Sequence, residues 1–229
     1  MFININSFLR LGYLIIYVIS LFFILSSGTL IEQWISLELN IFCFIPICSI
    51  FIEKLSNISE RICIYFLRQR IFSLLFLIGF LTEYFLVDQG FFFIWCIKVL
   101  GLLGKLGIFP FYFWVPKTII GIGFFGVFFI LTFQKIGPIF LIESICIFNI
   151  KNLFFLILIS LGGFIICFIS GPQQNFFLGF LCYSSIAHGS WFLISILCSI
   201  RLMLIYFLIY SLNLFFFFLY KKRRALYMK

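Results

Sequence analysis

Four ionisable side chains stand inside stretches that are otherwise nearly bare of polarity: Glu38 in WISLELNIFCFIP, Lys105 in GLLGKLGIFPFYFWVP, Lys135 in LTFQKIGP and His188 in CYSSIAHGSW. A charge at the centre of a membrane helix costs at least about 2.5 to 3.5 kcal/mol, so each such group needs a partner, a wet cavity or a function. A carboxylate, two amines and an imidazole in such surroundings can bind and release protons. For Glu38 the plainer alternative is a carboxylate neutralised by protonation or pairing. Pro110 has no N–H to offer the carbonyl of Leu106, so the helix carrying Lys105 is expected to break just beyond the lysine. Freed carbonyls survive in lipid only where protein or water satisfies them, which points to a hydrated, enclosed pocket. Gly101, Gly104 and Gly107 would let a neighbouring backbone come close. Lys135 repeats the pattern, because Pro138 leaves the carbonyl of Gln134 without its helical donor. Ser184, Ser185 and His188 together offer two hydroxyls and an imidazole, either as a relay or as a packed core histidine. Lys98, two turns before Lys105, is expected to snorkel toward an interface.

The elements that hold these groups follow from composition. Of 229 residues, 65% are hydrophobic and 10% charged, and 38 are Phe. That inverts the balance of a soluble domain and leaves an all-α membrane protein of roughly eight or nine crossings, with no room for a soluble domain. Redox, hydrolytic or nucleic-acid work in an attached domain is thereby excluded. Charges, Gly/Pro clusters and length place eight transmembrane helices near 8–26, 29–52, 62–87, 91–116, 118–142, 152–170, 174–198 and 202–220. One helical bundle over 1–220 with a basic tail over 221–229 is the expected organisation. The first helix is expected to be retained, since no small-residue cleavage site follows it. Eight Cys lie in apolar runs without ligand spacing and read as small hydrophobes, implying neither a disulfide framework nor a metal site.

The net charge of +9 is distributed as a topology signal rather than as a nucleic-acid patch. Arg10, Lys54, Arg61, Arg68, Arg70, Lys117, Lys221, Lys222, Arg223, Arg224 and Lys229 fall on one side of the eight-helix arrangement, against Lys151 and Arg201 on the other. The asymmetry predicts both termini on the positive side.

The segments around Glu38, Lys105, Lys135 and His188 resemble, in the same order, the signature segments of the antiporter-like chain 2 family of mitochondrial NADH:ubiquinone oxidoreductase, respiratory complex I. The resemblance covers residues 30 to 195 and is most specific around KLGIFPFYFWVP. It implies that Glu38 corresponds to the family's glutamate, Lys105 to its central broken-helix lysine and Lys135 to the connecting lysine on the next helix. It further implies a membrane-arm subunit taking part in proton translocation, in the mitochondrial inner membrane with matrix-facing termini. Flavin, iron–sulfur clusters and ubiquinone would then belong to other subunits, with no cofactor in this chain. Expected partners are other antiporter-like and small membrane-arm subunits and lipids including cardiolipin, but no nucleic acid.

This sequence departs from the family at several places. Tyr112 stands where PFHFW has His, Phe133 where LTWQK has Trp, and Arg68 and Arg70 flank Gln69 where uncharged residues are usual. The family's second broken helix is missing after KKRRALYMK, so a separate polypeptide is expected to supply those helices. Two competing readings stay open: a structural spacer of complex I whose proton path is cut, and an independent cation/proton antiporter. For charges about 4 Å apart at an effective dielectric near 20, a Glu/Lys pair is coupled by about 4 kcal/mol. Moving a proton against roughly 150 to 200 mV costs about 3.5 to 4.6 kcal/mol, so one such switch is of the required size.

Overall fold

Ser26, Ser27 and Gly28 break what would otherwise be one overlong apolar run, and the helix before them gives way to a second at Leu30. The computed structural model describes residues 2–50, 58–85, 91–119, 122, 124–146 and 149–227, of which 2–10, 49–50, 58–59, 124–125 and 221–227 are described by their backbone. Among the described residues the secondary structure is helical throughout: α1 (Phe2–Ser26), α2 (Leu30–Ile50), α3 (Ile58–Phe85), α4 (Phe91–Leu106), α5 (Trp114–Ile119), α6 (Phe124–Leu131), α7 (Phe133–Ile145), α8 (Ile150–Ser170), α9 (Phe177–Cys198) and α10 (Ile200–Tyr227). Six of the described helical stretches are long and apolar enough to cross a membrane.

The eight predicted crossings correspond to α1, α2, α3, α4 with α5, α6 with α7, α8, α9 and α10. Lys54 lies outside the described residues. The backbone of the predicted basic tail continues α10 as far as Tyr227. Consecutive helices pack as antiparallel neighbours, α1 on α2, α3 on α4 and α8 on α9, as short connections require. α7 packs against α4, bringing the two lysine-bearing helices side by side. Val99, Leu102 and Leu103 of α4 and Ile139, Leu141 and Ile142 of α7 are all essentially without exposed surface. The outer faces are covered by Phe, Leu and Ile, including Phe22, Phe23, Leu158 and Ile205, a surface suited to acyl chains.

Both interruptions lie beside lysines. α4 ends at Leu106, and Gly107 takes a positive φ of 68°. The chain then turns through a cis Phe109–Pro110 bond and restarts at Trp114. The second interruption differs from the sequence expectation. The helix is broken before Lys135, at Thr132, and Pro138 lies inside α7. Because α7 starts at Phe133, the carbonyl that Pro138 leaves free belongs to Gln134, in the first turn, where the chain accommodates it without a second break.

Candidate functional site

The broken end of α4 shows how the fold satisfies backbone groups far from bulk water. The indole N–H of Trp114 donates to the carbonyl of Gly104 at 3.0 Å, and the Gln69 amide donates to the carbonyl of Lys105 at 3.1 Å. The freed carbonyls are therefore met from both sides, one donor coming from α5 and the other from α3. Gly101 permits this closeness: a Cβ there would lie 2.7 Å from the backbone nitrogen of Phe76 on α3.

Lys105, at 5% exposure, points its amine toward α2, where Glu38 is likewise buried, and the Nζ–Oε1 distance is 3.8 Å. Glu38 has a second and closer partner, for its other oxygen is ion-paired with the guanidinium of Arg70 on α3. Two small cavities flank this cluster. The first is lined by Tyr65, Gln69, Lys105, Gln134, Lys135 and Ser185, and so extends from one lysine to the other; the second opens between Lys105, Asn40 and Gly137. Each has room for about one water. The Tyr65 hydroxyl, the Gln134 amide nitrogen and the Lys105 amine are buried around them with no protein hydrogen-bond partner. Leu106, Val115, Ile130 and Leu131 also line the first cavity, and the unused donors beside them are groups that a buried water satisfies.

Lys135 is buried too, and its amine donates to the backbone carbonyl of Ser185 on α9 at 2.8 Å while lying 5.4 Å from the Tyr210 ring centroid. The hydroxyls of Ser184 and Ser185 bond within their own helix, to carbonyls three residues earlier, Leu181 and Cys182. His188 Nδ1 is instead hydrogen-bonded to the Tyr206 hydroxyl at 2.6 Å, and its ring packs on Tyr210, centroids 4.8 Å apart. The Tyr210 ring thus lies against both Lys135 and His188, while its hydroxyl donates to the carbonyl of Leu131 at the α6–α7 break.

Lys98 is buried, with its amine 2.8 Å from the half-exposed Glu83 carboxylate near the end of α3. Gln69, Gln134, Tyr65, Tyr206 and Tyr210 escaped the sequence reading. None is ionised at neutral pH, so insertion cost does not flag them; only the polar residues' neighbourhood with the lysines and the histidine does. Among the described residues no group of three or more His, Cys, Asp or Glu is placed to hold a metal.

Residues 27–225 match the family described as NADH:quinone oxidoreductase/Mrp antiporter, TM. The NADH-ubiquinone oxidoreductase chain 2 of Locusta migratoria is 29% identical over 94% of this chain and 63% of its own length. That of Anopheles gambiae is 31% identical over 82% and 54% respectively. The chain thus spans a little over half the length of the relatives it matches. A chain of respiratory complex I from Thermus thermophilus with bound aureothin superposes with a TM-score of 0.74 at 20% identity, over 88% of this chain and 49% of that one, a likeness of fold. With a family match across most of its length and relatives near 30% identity, the chain belongs to the NADH:quinone oxidoreductase/Mrp antiporter membrane family and is a homologue of NADH-ubiquinone oxidoreductase chain 2.

Proposed function

We propose that this chain is a membrane-arm subunit of NADH:ubiquinone oxidoreductase in the mitochondrial inner membrane, and that protons pass laterally through it from the Glu38–Lys105 pair to Lys135. The observation that carries the reading is the small buried cavity that both Lys105 and Lys135 line, next to a carboxylate 3.8 Å from the first amine. At that separation and an effective dielectric near 20, the charges of Glu38 and Lys105 are coupled by about 4 kcal/mol, comparable to the work of moving one proton across an energised membrane. Displacement of Glu38 along its side-chain torsions changes that coupling, so a small movement can load or unload the lysine. His188 extends the route toward α10 through the Tyr206 hydroxyl. Redox chemistry, with its flavin, iron–sulfur clusters and ubiquinone, belongs to other subunits of the assembly, and lipids including cardiolipin cover the outer Phe and Leu faces.

The test is Lys105→Met in an assembled complex, with protons translocated per NADH oxidised as the readout. A reduced ratio at normal assembly is the expected result; an unchanged ratio overturns the proposal. A structural spacer is the second reading, favoured by the ion pair that ties Glu38 to the guanidinium of Arg70 as well as to Lys105. Under that reading Lys105 is replaceable, whereas changes at apolar helix contacts abolish assembly.

A further inference from the structure

Glu38 lies between two cations of different kind. On one side Lys105 is enclosed, its side chain 2% exposed; on the other Arg70, 25% exposed, reaches in from the outer edge of the α2–α3 contact. Arg70 is held there by two rings. Its guanidinium carbon lies 3.8 Å from the centroid of Phe42, one turn beyond Glu38 on α2, and 4.8 Å from that of Phe66, one turn before it on α3. Its Nε and second terminal nitrogen are buried without an acceptor, and Glu38 is its ion-pair partner among the described residues. Arg70 is therefore oriented by aromatic faces and by one carboxylate that it shares with Lys105.

We infer that Arg70 is a positioning residue that divides Glu38 between a permanent cation and a titratable one, so that a neutral ion pair remains when Lys105 gives up its proton. The inference rests on the proton-handling role proposed for Lys105. In the step itself an N–H bond of the Lys105 ammonium breaks and an N–H bond forms on neutral Lys135, with water carrying the proton between them and no electron changing hands. With Arg70 present, the Glu38, Arg70 and Lys105 cluster passes from one positive charge to none. Without Arg70 it would pass from neutral to one negative charge, leaving an uncompensated carboxylate in a buried site, the costlier outcome. The surplus positive charge before release is borne where the structure is best fitted to bear it, on a weakly hydrated guanidinium facing two aromatic rings. Gln69, the residue before Arg70, donates to the backbone of Lys105, so the same turn of α3 fixes both ends of the arrangement.

The experiment measures protons translocated per NADH in the assembled complex for R70Q, R70K, E38Q, E38Q/R70Q and K105M. R70Q is expected to lower coupled translocation about tenfold, within the range spanned by contacting charges, and R70K, which keeps the cation, to recover most of it. Because Arg70 acts through Glu38, E38Q/R70Q should be no worse than E38Q alone, an equality that a merely structural arginine would not produce. Wild-type translocation in R70Q, no recovery in R70K, or losses that multiply in the double variant would each overturn the inference. Should R70Q fail to assemble, E38Q/R70Q must assemble, since the carboxylate that Arg70 attends leaves with it, and its failure to do so overturns the inference as well. K105M separates the two levels. Normal pumping in K105M removes the proposed function itself, whereas loss in K105M with R70Q unaffected removes only the role of Arg70.

Discussion

At the scale of single residues, the most informative side chains are those that attend the charges without bearing one. Gln69 spends its amide on the carbonyl of Lys105, which a helix interrupted at Gly107 leaves free. Gln69→Leu strips that buried carbonyl of its partner and should destabilise the fold by about 1 to 3 kcal/mol, seen as earlier thermal inactivation of the purified complex. Tyr206 offers a second test. Tyr206→Phe keeps the ring contacts with His188 and Phe192 and deletes only the hydroxyl that His188 Nδ1 meets. If His188 passes protons by that hydroxyl, coupled translocation falls while assembly stays normal; an unchanged proton ratio assigns the histidine to packing. Glu38, Lys105 and Lys135 were legible in the sequence because a charge in an apolar helix demands a reason. The preference of Glu38 for Arg70 was not, since it depends on where α3 lies against α2.

At the scale of elements, the interruption of α4 and the close seating of α3 depend on each other. Gly101 meets the backbone of α3 at Phe72 and Phe76, so no rotamer change can make room for a larger residue there. Gly101→Leu should separate the two helices, at a cost of several kcal/mol, and abolish assembly on native gels. Gly28→Ala, at a position with open space around it, should change stability by no more than about 0.5 kcal/mol. The break after Lys105 was readable from Gly107 and Pro110, both of which act locally. The break before Lys135 was not, for proline signals only that a carbonyl loses its donor. Whether the chain yields at Pro138 or at Thr132 is decided by packing, here by α6 and α7 meeting at the Leu131 carbonyl that Tyr210 of α10 satisfies.

At the scale of the whole molecule, the asymmetric charges and the helix order support one another. The Arg61 guanidinium donates to the backbone of Lys117 at 2.7 Å, so two residues counted on the same side by sequence lie at the same end of the bundle. Lys151 and Arg201 begin helices at the opposite end. The expectation that the termini face the matrix leads to a labelling prediction. In a background with Cys63 and Cys198 replaced by Ser, Lys151→Cys should react with an impermeant thiol reagent added to mitochondria stripped of their outer membrane. Lys117→Cys should react only after the inner membrane is opened. The reverse pattern would invert the orientation.

Composition and hydropathy alone were enough to read an all-helical membrane bundle, an excess of basic residues on one side and the carboxylate and amines that stand inside apolar helices. Each of these depends on the transfer of a residue or segment from water to lipid, a local quantity that needs no knowledge of neighbours. The partners came from the folded chain: Arg70 for Glu38, Ser185 for Lys135, Tyr206 for His188, and the cavity lined by both lysines. Hydrogen bonds and ion pairs act over a few ångströms, so their pairing is fixed by which helix faces meet, and in a chain apolar on nearly every face the sequence pattern does not say which those are.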